Sequence, residues 1–140
     1  MLISIVYDSG FGHTAKLAEA VAEGAQRVPH ADARLLAVAD HPLPWDVLEA
    51  SDAIIFGSPT YNGLVSARLK QVFEDSTKEA WRDLKWRDKI AAGFTNSGAQ
   101  NGDKLNSLIS MALFAAQHGM IWVGLDLMPG NSSSTGLLRI

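Results

Sequence analysis

The chain has 140 residues, 47% of them apolar and 19% charged, which is the size and balance of one globular domain (residues 1–140) and not of a disordered chain. Its 12 basic residues stand against 15 acidic ones, a net charge of −3, so no basic surface points to nucleic acid or anionic lipid. Cysteine is absent, which excludes a disulfide framework, thiolate zinc sites, iron–sulfur ligation by this chain and a cysteine nucleophile, and agrees with a cytoplasmic address.

Leu2 to Tyr7 is a continuous apolar run with β-branched residues, bounded by Asp8-Ser9-Gly10, and reads as a buried strand. No basic stretch precedes it, so no signal peptide is expected. From Thr14 to Val28 the residues Leu17, Val21, Ala25 and Val28 recur at helical spacing, with Pro29 just beyond. Arg34 to Val38 is a weaker strand. Pro42 and Pro44 leave room for at most a short helix at Asp46 to Ala50. Ala53 to Gly57 is the third strand. Leu69, Val72, Phe73 and Ser76 mark a helix from Leu64 to about Trp81, and Lys89 to Thr95 is the fourth strand. Leu105, Leu108, Ile109, Ala112 and Ala116 mark a helix closed by Gly119, and Met120 to Leu125 is the fifth strand. The apolar region Met111 to Leu125 is interrupted by Gln117, His118 and Gly119 and is too short for a membrane span of roughly 18–20 residues. Strands alternating with helices at this pitch form a doubly wound parallel α/β sheet, whose ligands lie beyond the carboxyl ends of the strands.

Three loops reach that edge. The first, Asp8-Ser9-Gly10-Phe11-Gly12-His13-Thr14, combines glycines, two hydroxyls and a helix start with no acid before Glu19, a combination that suits a phosphate monoester. An ordinary glycine-rich turn with a Ser or Thr cap is the plainer alternative. The loop also fits a weak dinucleotide fingerprint (Gly10, Gly12, Ala15), but the only acid near the end of strand two, Asp40, comes too late for the ribose, and no Walker motif is present. The second loop, Ser58-Pro59-Thr60-Tyr61-Asn62-Gly63, offers a tyrosine able to lie against a planar ring. The third, Thr95-Asn96-Ser97-Gly98-Ala99-Gln100-Asn101-Gly102, offers amide and hydroxyl groups on a flexible backbone, with Asn101 or Asp103 as cap of the next helix. Together they could hold a phosphate, a sugar-like chain and a flat heterocycle.

These segments resemble the flavodoxin superfamily, and most closely the FMN-binding NAD(P)H:quinone oxidoreductases of the WrbA type. The resemblance rests on Ile5 to Thr14, Ala53 to Gly63, Phe73-Glu74-Asp75 followed by Trp81, and Gln117-His118-Gly119-Met120, within about residues 1–130. It implies a five-stranded sheet in the order 2-1-3-4-5 between two helical layers. It further implies that Ser9, Phe11, Gly12, His13 and Thr14 cradle the FMN phosphate without an arginine. By the same resemblance Pro59, Thr60, Tyr61, Asn62 and Gly63 border the isoalloxazine, and Thr95, Asn96, Ser97, Gly98 and Gly102 close over the ribityl chain. His118 matches a histidine near the ring, with a helix-end histidine as the alternative. Trp81 matches an aromatic that reaches a neighbouring subunit's active site, with a plain tryptophan as the alternative. NAD(P)H is the implied electron donor and a quinone-like small molecule the acceptor; no metal, nucleic acid or membrane enters.

Tyr61-Asn62 replace the Arg-Phe of typical members, and the family's final helix has no counterpart before Ile140. A sheet face left without that helix implies self-association into a homo-oligomer, a dimer or a tetramer. Three other classes compete. A flavodoxin-type electron carrier would collect more acids around the flavin. A signalling receiver domain is excluded by Gly57-Ser58-Pro59 and Leu125-Asp126-Leu127 at its two key positions. A degenerate domain would have lost flavin binding altogether.

Overall fold

The computed structural model describes residues 1–40 and 42–125. Strand β1 (Leu2–Tyr7) lies between β2 (Asp32–Ala37) and β3 (Ala53–Tyr61), and β5 (Ile90–Asn96) and β6 (Ile121–Trp122) extend the sheet beyond β3. All of these pairings are parallel, with Ile5 beside both Leu35 and Ile55, and Phe56 beside Gly93. The short strand β4 (Leu64–Val65) pairs antiparallel with the tail of β3. The order β2-β1-β3-β5-β6 is the expected one with a small ribbon added.

That ribbon departs from the expected second loop. β3 runs four residues past Gly57, and Thr60 and Tyr61 pair with Val65 and Leu64. Asn62 (φ 49°) and Gly63 (φ 82°) make the turn with two left-handed residues, the geometry that matches strand twist in a two-residue hairpin. Pro59 is tolerated because the parallel register with β5 ends at Pro59–Asn96. The expected helix from Leu64 therefore begins later, as α3 (Ala67–Ser76), capped by Ser66, whose Oγ accepts from the Leu69 N–H at 3.2 Å. A π-helical turn, Thr77–Trp81, continues it.

The two sheet faces differ. One carries the larger core, where Val6, Ile54, Phe56 and Ala91 meet α2 (Trp45–Ala50), α3 and α4 (Lys104–Gln117). The other packs α1 (His13–Gln26) against Ile5 and the half-buried Tyr7, Ile55 and Phe94. On this second face, by strand alternation, Ile90, Ile121 and Val123 are about half exposed. The final helix and any covering by residues 126–140 lie outside the described residues. No described helix is long and apolar enough to cross a membrane.

Two helices bury a different stripe from the one their large residues mark. α1 buries Thr14, Ala18 and Ala22, and Leu17 and Val28 stay largely exposed. α4 buries Ser107, Met111 and Ala115, while Leu105, Ile109 and Leu113 face outward. Small residues at i, i+4 and i+8 in α1, and at i and i+8 around Met111 in α4, let each helix lie close on a sheet already filled by branched side chains, so close approach outweighs size. α3 buries the stripe expected of it, Leu69, Val72, Phe73 and Ser76.

Candidate functional site

Because β1, β3 and β5 are parallel, the three loops that follow them share one edge, and the structure joins them around a cavity of about 280 Å³. Gly10, Phe11, His13 and Thr14 line it from the first loop, Pro59, Thr60 and Tyr61 from the β3 tail, and Asn96, Ser97 and Gly98 from the third. Asn62 and Gly63 form the hairpin turn beside it, and the Gly63 carbonyl accepts from Asn106 Nδ2 at 2.9 Å.

The first loop enters α1 through Gly12, the N-cap, in the left-handed region at φ 86°. Gly12 itself brings no capping side chain, and the first turn of α1 holds no acid. Ser9 Oγ accepts from the Ala15 N–H at 3.1 Å, drawing the loop back over the helix start. The space above Gly12 is open: nothing beyond its own chain neighbours lies within 4 Å of where its Cβ would stand. An acid-free helix start with a glycine N-cap and open space before it fits a phosphate monoester. Phe11, 83% exposed, stands at the loop tip.

Hydrogen bonds between short side chains fix the other walls. Thr60 Oγ1 lies 2.7 Å from Thr95 Oγ1 and 2.8 Å from Ser107 Oγ, a buried hydroxyl chain joining β3, β5 and α4. Thr95 is thus occupied behind the cavity and does not line it. Thr14, fully buried, donates from Oγ1 to Asn96 Oδ1 at 2.7 Å, tying the first loop to the third. Lys104 Nζ donates to Ser97 Oγ and to the carbonyls of Ala99 and Gln100 at 2.8–2.9 Å, folding the third loop over the start of α4. Gly102 belongs to that fold-back and is not on the cavity wall; a Cβ on it would meet Ser97. Asp103, not Asn101, is the α4 N-cap residue, and its side chain makes no capping bond.

His118 and Trp81 sit elsewhere. α4 starts at the carboxyl edge and spans 14 residues, about 20 Å, so His118 at its end lies at the amino edge of the same chain. There it lines a second cavity of about 370 Å³ with Phe73, Ser76, Trp81, Phe114 and Gln117. Trp81 Nε1 donates to the Gln117 carbonyl at 2.8 Å. Ser76 Oγ donates to the Phe73 carbonyl at 2.7 Å, so His118 Nε2, 3.0 Å from the same oxygen, must be the donor between them. His118 Nδ1 is then a bare acceptor, buried without a hydrogen-bond partner among the described residues. Burial pushes the imidazole down to about 4, so it is neutral at ordinary pH.

Three residues of consequence carry no sequence signal of their own. Asp8 is buried at the end of β1 with Arg68 Nε 3.0 Å from its Oδ1. Trp86 is buried against His118, ring centroids 4.5 Å apart. Nothing in the spacing of β1 or α3 pairs Asp8 with Arg68; their contact depends on how α3 meets the end of β1. Among the described residues no cluster of His, Asp or Glu could hold a metal ion.

The sequence model described as NADPH-dependent FMN reductase matches residues 3–129. Flavodoxin FldP of Pseudomonas aeruginosa is 45% identical over 135 residues, which cover 94% of this chain and 70% of that protein. An NAD(P)H dehydrogenase (quinone) of Geobacter sulfurreducens is 35% identical over 148 residues, covering 89% and 72%. Among solved structures, a flavodoxin, WrbA-like protein from Agrobacterium tumefaciens is 48% identical with a TM-score of 0.78, covering 87% of this chain and 76% of that one.

Proposed function

The chain belongs to the NADPH-dependent FMN reductase family, within the flavodoxin superfamily, and from that premise we propose that it is an NAD(P)H:quinone oxidoreductase working through FMN held at the carboxyl edge. The observation that carries this reading is the convergence of three loops on one cavity beside an acid-free helix start. Bound FMN would supply the redox chemistry, taking a hydride from NAD(P)H and passing two electrons to a quinone-like acceptor.

The chain's own residues bind and orient. Backbone N–H groups at the start of α1, with the Ser9 and Thr14 hydroxyls, would receive the phosphate. Thr14 already donates to Asn96, so its hydroxyl must turn before it can donate to an anion. Tyr61, 42% exposed at the cavity mouth, would border the ring, and the loop pinned by Lys104 would limit water on the opposite side. His118 and Trp81 would meet a flavin only in an assembly that brings the amino edge of one copy to the carboxyl edge of another, so this role goes with a homo-oligomer. Sedimentation of the FMN-loaded protein at low micromolar concentration tests that part; a stable monomer contradicts it. A cytoplasmic address completes the reading, and cell fractionation checks it.

A second reading, a flavodoxin-type electron carrier, draws support from the 45% identity to a protein named flavodoxin. Against it stands the scarcity of acids at the site: Asp8 is buried and ion-paired, leaving Asp103 at the margin. Rapid mixing of FMN-loaded protein with NADPH or NADH, then with a benzoquinone, decides between them. Reductase function requires bleaching by at least one nucleotide and recovery on adding quinone; a flavin that stays oxidised under excess of both leaves the carrier.

A further inference from the structure

An acid stands where the loop for a dianion begins. Asp8 follows β1 and opens the phosphate loop, its side chain only 1% exposed. Both carboxylate oxygens are shut off from solvent, and neither has a well-aligned hydrogen bond among the described residues. What faces Asp8 is Arg68, the second residue of α3, with Nε 3.0 Å from Oδ1, close enough to pair the charges though the N–H is not aimed squarely at the oxygen. The same guanidinium overhangs the loop: Nη2 lies 3.6 Å from where a Cβ on Gly10 would stand, and Tyr61 Oη 2.8 Å from that point. Gly10 thus lets an arginine from beyond β3 cover both the buried acid and the loop backbone.

We propose that Arg68 is a positioning residue for the phosphate loop: it cancels the Asp8 charge and so allows the loop beside that carboxylate to accept a dianion. The inference rests on the reading that this loop holds the FMN phosphate. An isolated buried carboxylate in low dielectric repels a second anion far more strongly than the same pair in water. The pair therefore acts on the phosphate and is nearly silent toward the same ring and sugar without one.

Fluorescence titration of the apoprotein with FMN and with riboflavin separates these effects. Asp8→Asn keeps the side-chain shape and frees the guanidinium, so FMN should bind several-fold tighter with riboflavin changed by less than about twofold. Arg68→Gln should weaken FMN by about tenfold to a hundredfold and riboflavin by less than about threefold. The double variant Asp8→Asn/Arg68→Gln should return the FMN-to-riboflavin preference to within about threefold of the unmodified protein. If Arg68→Gln alone does not fold, Asp8→Asn and the double variant still decide. A preference for FMN that no variant alters overturns this inference and leaves the cradle standing. An unmodified protein that binds riboflavin as tightly as FMN removes the cradle and this inference together.

Discussion

At the carboxyl edge of the sheet, hydroxyls, glycines and backbone amides surround a cavity; at the amino edge, Phe73, Phe114 and the buried imidazole of His118 line another, with Trp86 packed behind that imidazole. The first is held by hydrogen bonds between short side chains, such as Thr14 to Asn96 and Thr60 to Thr95 and Ser107. The second is held by ring contacts, Phe73 on Phe114 at 3.8 Å and Trp86 on His118 at 4.5 Å. Polar groups at the first edge can exchange partners with a ligand at little cost. At the second, the buried imidazole has no partner for its Nδ1 among the described residues, so a proton gained there would be unpaired. One edge is suited to binding and the other to cohesion, and α4 connects the two through Ser107 and His118.

The largest expected effect breaks the cohesive edge. His118 is neutral in the folded protein down to about pH 4 and ordinarily titrates near 6.5, so between these values the unfolded state binds the extra proton. Its contribution is fully present above about pH 6.5 and is lost as pH falls toward 4, by on the order of 3 kcal/mol in all. Urea melts across this range should show that slope, and His118→Gln should flatten it. An unchanged slope would mean that another group governs acid sensitivity.

Breaking the binding edge comes next. Gly12→Val forces a branched residue to φ 86° and places its side chain in the open space before α1. FMN affinity should fall by roughly a hundredfold, beyond any loss for riboflavin. Thr14→Ala should give a smaller loss, about fivefold, again larger for FMN. Equal losses for both ligands would place the phosphate elsewhere. Thr60→Val removes the central hydroxyl of the buried chain and leaves Thr95 and Ser107 short of a partner, at about 1–3 kcal/mol by thermal melts. The smallest effect is Trp81→Phe, which loses an exposed bond to the Gln117 carbonyl, about 0.5–1 kcal/mol.

The contrast between edges was only half legible in the sequence. Parallel strands and the loops after them followed from apolar runs ended by glycine, serine and asparagine, which is why the three loops meet at the carboxyl edge, where Gly10, Phe11, His13, Thr14, Pro59–Tyr61 and Asn96–Gly98 line the cavity and Ser9 and Gly12 do not. The hairpin at Asn62-Gly63 was masked by Pro59, which argued for a loop where an edge position tolerates it. The buried stripes of α1 and α4 were hidden because Ala18, Ala22 and Ala115 attract less notice than Leu17 or Leu105. His118 and Trp81 carried a resemblance to site residues, but helix length alone sets them at the far edge of their own chain. Arg68 had no pattern to reveal it, since its partnership with Asp8 depends on how α3 meets the end of β1.

The central claim, that the carboxyl-edge cavity is the flavin site, is tested most directly by following backbone amide resonances while FMN is added to the apoprotein. The account predicts saturation at one FMN per chain, with the amides of Gly10, Gly12 and Gly98 shifting together. The Trp81 indole would move in concert with them only if copies associate. Saturation that leaves Gly12 and Gly98 unmoved, with the changes confined to Trp81, Gly119 and the residues around His118, would contradict it.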